Sequence, residues 1–79
     1  MLFYFEFENK RRKADVLWPR DGENIIIHIA DHEIANSFPT DLFFQLDESG
    51  KIVFQIEDVA NLRLLDLQNT LRRRLQELT

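Results

Sequence analysis

Apolar and polar residues alternate through much of the first 57 residues, and this period of two predicts strands with one buried face. The segments that show it best are 2–8, 12–18, 42–46 and 51–57. Segment 24–30 is apolar on both faces and rich in isoleucine, which predicts a central strand. In the other segments, the side chains directed toward the core are Phe3, Phe5, Phe7, Ala14, Val16, Trp18, Leu42, Phe44, Leu46, Ile52, Phe54 and Ile56.

Turn-forming residues separate the strands and predict hairpins. Asn9 and Lys10 suit a first turn, and residues 19–22 have the proline and Asp-Gly chemistry of a tight turn. Residues 47–50 end in Gly50, which can adopt a positive φ angle, so they predict the clearest hairpin of the chain.

Residues 31–41 allow two interpretations. Asp31 could cap a short helical turn over residues 32–35, with Phe38 returning to the core. The segment could equally continue the preceding strand with a bulge. Pro39 and Asp41 mark its end in either case.

Val59 to Leu78 predicts one long amphipathic helix. Asp58 is a suitable N-cap because its carboxylate can accept hydrogen bonds from the free amides of the first turn. The run of three arginines suits the negative end of the helix dipole. An apolar stripe at helical spacing contains Leu64, Leu67, Leu71, Leu75 and Leu78.

These elements predict an α+β fold in a single domain, residues 1–79. We expect an antiparallel sheet of four to five strands in hairpin order, with one long C-terminal helix packed on one face. Many unrelated small proteins share this arrangement, so the fold carries no function by itself.

The predicted helix is longer than the sheet beneath it. Twenty helical residues span about 30 Å, whereas strands of six or seven residues span about 20–23 Å. If the helix lies along the strands, Leu71, Leu75 and Leu78 extend beyond the sheet and need apolar surface from another subunit. Alternatively, the helix crosses diagonally and its end packs on residues 31–41 of its own chain.

The sheet face opposite the helix is a second candidate for association. Several apolar side chains are grouped on this face, whereas the surface of a monomer normally carries isolated ones. A second copy or a ligand could cover it, or residues 31–41 could fold over it. This face would carry Leu2, Tyr4, Leu17, Ile26, His28, Phe43 and Val53, diluted by Glu6, Gln45 and Gln55.

Composition limits the remaining chemistry. The chain has no cysteine, hence no disulfide or thiolate metal site, and a core this small often depends on oligomerisation. The net charge is −4, yet seven of the ten basic residues lie in two clusters, 10–13 and 72–74. These clusters could bind phosphates or nucleic acid, although the acidic balance and the lack of a nucleic-acid motif argue against it.

Residues 28–33 contain the only cluster of potential metal ligands in the sequence. On a helix, His28 and His32 would share a face and could bind zinc in a metal-dependent enzyme. However, His28 lies in a predicted strand, where this spacing does not converge. Ser37 and Ser49 lack the glycine framework of a nucleophile turn. We therefore expect no enzyme, cofactor, metal site or small-molecule substrate.

No stretch approaches the roughly 20 apolar residues of a membrane helix, and residues 1–7 lack signal-peptide features, so we expect a cytoplasmic protein without membrane contact. The leading prediction is a non-enzymatic interaction module that forms homo-oligomers, dimers first. It would use its C-terminal helix, its open sheet face or both, with the arginines pairing with acids on the partner. The helix residues assigned to this interface are Leu64, Leu67, Leu71, Leu75, Leu78, Arg72, Arg73 and Arg74.

Overall fold

The computed structural model describes residues 1–18, 24–54 and 60–78. The predicted turn at 19–22, the predicted cap Asp58, and residues Gln55, Ile56 and Val59 lie outside the described residues. In chain order the elements are β1 (Leu2–Phe7), β2 (Lys10–Leu17), β3 (Ile25–Ile29), α1 (His32–Ser37), β4 (Asp41–Leu46), β5 (Ile52–Phe54) and α2 (Leu62–Leu78).

The strands form one antiparallel sheet in the order β1-β2-β3-β4-β5. Each strand therefore pairs with its neighbours in sequence, as hairpin connections require. The sheet is curled, and the long C-terminal helix completes an α+β arrangement. This confirms the predicted fold class, with five strands and with the isoleucine-rich β3 in the centre.

The first hairpin turns one residue earlier than predicted. Phe7 pairs with Lys10, so the loop consists of Glu8 and Asn9. Their φ angles of 52° and 62° are those of a two-residue type I′ turn, whose twist matches that of the flanking strands. As a consequence, residues 10–13 lie in β2 and not in a turn.

The alternation predicts most of the core correctly. Trp18 and Leu46 are exceptions, because both side chains are exposed. They continue the alternation of their strands, but they lie at strand ends, where no other described element packs over them. The buried apolar residues form one cluster of Phe3, Phe5, Phe7, Ala14, Val16, Ile25, Ile27, Ile29, Ile34, Phe38, Leu42, Phe44, Ile52, Leu64, Leu67, Leu71 and Leu75.

Residues 31–41 adopt the helical alternative. The Asp31 carboxylate caps α1 by accepting a hydrogen bond from the Ile34 N–H at 3.0 Å. Ile34 and Phe38 are buried, and the Phe38 ring packs edge-on against Phe7 with 6.2 Å between ring centroids. This segment therefore extends the core.

Helix α2 begins three residues later than predicted, at Leu62. The Asn61 side chain caps it by accepting from the Leu64 N–H at 3.1 Å. With 17 residues, α2 is about 25 Å long. It contacts both edge strands, β1 and β5, so the curled sheet partly surrounds it.

The predicted exposure of Leu71 and Leu75 is wrong, whereas Leu78 at the end of the helix is exposed. Leu71 and Leu75 have 0 % of their surface exposed, and Leu78 has 36 %. Near the start of α2, Arg63 pairs with Glu8 at 2.7 Å, and near its end Arg74 bonds to Tyr4. The helix thus follows β1 along its length, and sheet curvature supplies the apolar surface that a flat sheet would lack.

Candidate interaction surfaces

Strand register aligns four apolar side chains on the outer face of the sheet, away from α2. Leu17, Ile26 and Phe43 are direct neighbours across β2, β3 and β4. Val53 on β5 pairs with Gln45, the next outward residue after Phe43. Leu17 is 63 % and Phe43 45 % exposed. We call Leu17, Ile26, Phe43 and Val53 the apolar strip.

A row of two carboxylates and a histidine lies beside the apolar strip. Asp15, His28 and Asp41 are direct neighbours in register, and His28 Nδ1 lies 2.7 Å from Asp41 Oδ1. The N-terminal ammonium of Met1 donates to Asp15 Oδ1 at 2.8 Å, and this bond holds the pKa of the Asp15 carboxyl below its ordinary value.

The basic cluster at 10–13 does not form one patch. Arg12 points into the core side of β2 with only 4 % of its surface exposed. Its Nε donates to the Phe7 carbonyl at 3.2 Å, and its Nη1 donates to Asp31 Oδ1 at 3.1 Å. Glu33 Oε2 lies 3.5 Å from the same Nη1. The guanidinium charge is therefore neutralised inside the domain.

Of the other three cations in this cluster, one forms an ion pair with α1 and two lie on the outer face of the sheet. Lys10 forms an ion pair with Glu33. Arg11 faces outward and lies over the Tyr4 ring, with 4.1 Å from its guanidinium carbon to the ring centroid. Lys13 pairs across the strands with Tyr4. Only Arg11 and Lys13 remain on the outer face, so residues 10–13 cannot bind a phosphate as one group.

The Asp31 carboxylate links α1 to the buried arginine. Partial burial would raise the pKa of this carboxyl, but hydrogen bonds from the Ile34 N–H and from Arg12 outweigh it and hold the pKa below its ordinary value.

Sequence reasoning missed Arg12 as an internal residue. The period-two pattern of Ala14 and Val16, extended back by two residues, would have placed it on the core face.

The arginines of α2 are also dispersed, because successive residues of a helix point about 100° apart. Arg74 Nε donates to the Tyr4 carbonyl at 2.8 Å, and its Nη1 donates to Glu77 Oε2 at 3.0 Å. Arg72 faces β5 on the other side of the helix, and Arg73 is exposed between them. The three arginines predicted to act together thus lie on separate surfaces.

The residues assigned to a helical interface are likewise not one surface. Four of its leucines belong to the core of this chain, and only Leu78 is partly exposed. This removes the physical reason for expecting the leucine stripe to bind a partner. Within the described residues, the outer sheet face is the larger apolar surface left open.

A groove of about 630 Å³ lies between β5 and α2. Lys51, Ile52, Val53 and Phe54 form the strand side, and Arg72 lies on the helix side with Asn69 and Gln76. The Gln76 Oε1 accepts a hydrogen bond from the Ile52 N–H at 3.1 Å. We call this the β5–α2 groove.

The described residues contain no group of three or more His, Asp or Glu side chains that could hold a metal ion. His28 faces outward from β3 beside Asp41, whereas His32 is the first residue of α1. The structure therefore gives no support to a metal-dependent enzyme using these two histidines.

Comparisons with protein-family models, with curated proteins and with solved structures gave no match. Over the part of the chain that the structure describes, neither helix has the length and apolarity needed to cross a bilayer. Functional inference therefore depends on the surfaces described above.

Proposed function

We propose that this chain is a non-enzymatic interaction module that associates with a second copy of itself through the outer face of its sheet. The apolar strip is the observation that carries this proposal. A row of neighbouring apolar side chains, Leu17, Ile26 and Phe43, with Val53 displaced by one outward position, is unusual on a surface that stays in water. Burying it releases ordered water from each side chain and favours association.

The charges beside the strip favour a second copy as the partner. Lys13 and Arg11 occupy one end of the outer face, and Asp15 and Asp41 lie between them and the strip. A face with both signs can match its own copy in a two-fold contact, in which each residue pair occurs twice. The basic pair and the acidic pair would set the relative orientation of the two copies, while the apolar strip would provide most of the affinity.

The contact is expected to be weak. Five strands at about 4.8 Å spacing give a face only about 20 Å wide, which falls toward the lower limit of specific interfaces. We expect dissociation constants from micromolar to millimolar, and therefore a monomer–dimer equilibrium that depends on protein concentration.

Sedimentation equilibrium over a concentration series up to about 1 mM tests the proposal, because this range covers the expected dissociation constants. The wild-type mass should rise with concentration. Phe43→Lys should keep the monomer mass throughout, because it places a charge inside the strip. Leu62→Lys is the matched control: Leu62 is 74 % exposed at the start of α2 and should dimerise like wild type.

Two results would overturn the proposal. The first is a wild-type mass that stays monomeric across the series. The second is equal weakening by the Phe43 and Leu62 substitutions, which would show a nonspecific effect of removing any exposed apolar residue. A Leu78→Lys variant separates the remaining exposed leucine of α2 from the sheet face, and it should dimerise normally.

A further inference from the structure

The outer edge of β5 has backbone groups available for pairing. The Asp47 N–H donates to the Lys51 carbonyl at 2.8 Å, which sets the alternation of the antiparallel ladder. By this alternation Val53 bonds to β4, while the N–H and C=O groups of Ile52 and Phe54 point away from it. The Gln76 side chain accepts the hydrogen bond from the Ile52 N–H. The Ile52 carbonyl and both groups of Phe54 have no partner among the described residues.

The groove beside this edge is positively charged. Among the lining residues that the structure describes, Lys51 and Arg72 contribute cations and none is a carboxylate. Within residues 1–18, 24–54 and 60–78, neither cation forms an ion pair. Phe54, which is partly buried, adds an aromatic side chain to the lining of the groove.

The opposite edge of the sheet differs in both respects. At β1, the Tyr4 carbonyl already accepts from Arg74, and the neighbouring groove contains Glu6 and Glu77 as well as arginines. That edge is partly covered and its charges are balanced. Over the described residues, the β5 edge combines main-chain groups that have no partner there with two cations that form no ion pair.

We propose that the β5–α2 groove binds an extended acidic peptide segment of another protein, added to the sheet as a strand along β5. Backbone groups of Ile52 and Phe54 would bond to the peptide main chain, as in other cases of strand addition. Carboxylates on alternate peptide residues would pair with Lys51 and Arg72, and an apolar residue would pack on Phe54. The groove shares only Val53 with the apolar strip and runs along the β5 edge, so the proposal does not depend on self-association.

Selection of random short peptides displayed on phage against the full-length protein tests the proposal. The selected sequences should contain an excess of Asp and Glu alternating with apolar residues. Affinities of synthetic, end-capped versions are then measured by fluorescence anisotropy. We expect Arg72→Glu and Lys51→Glu each to weaken binding by about tenfold or more, because each places a like charge beside the peptide carboxylate.

Arg73→Glu is the matched control, since Arg73 is exposed on α2 and does not line the groove. It should bind the peptides like wild type. The variants are compared only after circular dichroism shows the same melting profile, and Lys51, an exposed residue, provides a second test if Arg72→Glu unfolds.

Three results would overturn the proposal: no enrichment of peptides, enrichment without an acidic excess, or equal loss of binding in the Arg72 and Arg73 variants. Amide exchange provides a direct readout of the binding mode. A bound peptide should protect the Phe54 amide and leave the amides of β1 unchanged, and protection at β1 would contradict the site. Failure here leaves the Phe43 result unaffected, so the two proposals are tested separately.

Discussion

Arg74 donates a hydrogen bond through its Nε to the main-chain carbonyl of Tyr4, 2.8 Å away, and thereby covers part of the free edge of β1. Met1 and Val16 exchange two main-chain bonds, of 3.0 and 2.9 Å. The N–H and C=O groups of the even-numbered residues of β1 therefore point away from β2, toward the free edge of the sheet. An uncovered edge strand is a template for pairing with other chains, and an arginine over it opposes such pairing.

Arg74→Ala should increase aggregation, because it exposes the Tyr4 carbonyl and removes a charge from the β1 edge. We also expect the free energy of unfolding to fall by about 1 kcal/mol, the usual contribution of one such hydrogen bond. Turbidity and thioflavin T fluorescence over days measure the first effect, and urea denaturation measures the second.

Arg73→Ala serves as the control for Arg74→Ala, since it removes the same charge from an exposed position on α2. Glu77→Gln removes the partner of the Arg74 ion pair but keeps the bond to Tyr4. If all three variants aggregate at one rate, the edge contact has no protective effect.

The buried Arg12 and the cap residue Asp31 should be strongly coupled in stability. Arg12→Ala leaves the Asp31 charge without its guanidinium partner and removes the donor to the Phe7 carbonyl. Breaking a buried pair in this way typically costs about 3–5 kcal/mol. Asp31→Asn should cost less, because asparagine also caps helices well.

Urea denaturation of the two single variants and the double variant gives the coupling energy of this pair. The cost of Arg12→Ala should be smaller in the Asp31→Asn background, where no carboxylate is left unpaired at that position. Additive costs would show that Arg12 stabilises the fold through Phe7 and packing alone.

The sequence predicts this fold well wherever a local pattern determines the structure. The alternation of phenylalanines identifies the buried face of β1, because period two admits only one assignment once one face is apolar. The isoleucines on both faces of β3 predict its central position in the sheet, which the strand order confirms. Capping by Asp31 is one of two interpretations that the sequence allows for residues 31–41, and the structure adopts it, with the side chain bonded to a backbone amide three residues away.

The errors arise where the structure depends on contacts distant in sequence. Curvature of the sheet decides whether Leu71 and Leu75 are buried, and no local pattern encodes it. Arg12 is buried because Asp31, 19 residues further on, neutralises it. A run of basic residues likewise does not show which of its members are paired inside the fold, and the four cations of residues 10–13 do not lie on one surface.

Leu75→Ala should destabilise the monomer without changing its association. Leu75 has no exposed surface, so truncation leaves a cavity in the core, at a typical cost of about 2–5 kcal/mol. Urea denaturation should show this loss. Sedimentation equilibrium at low temperature and without denaturant should show the wild-type dependence of mass on concentration. A monomeric but equally stable Leu75→Ala protein would restore the helix as the interface.

Stability should decrease in acid because of carboxylates whose pKa values are lowered by folding. The pKa of Asp47 is lowered by hydrogen bonds from the Ser49 side chain and the Lys51 amide, and that of Glu33 by its bond from Lys10. The pKa of Asp31 is lowered although burial opposes it, because the Ile34 amide and Arg12 bind the charged form. A group with a lower pKa in the folded state binds fewer protons there than in the unfolded chain.

The stabilisation from these groups is therefore complete above pH 5, where their carboxylates are ionised in both states. It decreases as the pH falls through about 4, the ordinary range of Asp and Glu, toward the lower pKa values of the folded state. Urea denaturation at a series of pH values between 7 and 3 measures this slope. Asp31→Asn should reduce the slope, because it keeps the helix cap but removes one of the groups that must be protonated. Parallel curves for this variant and the wild type would show that the Arg12–Asp31 pair makes no contribution to acid unfolding.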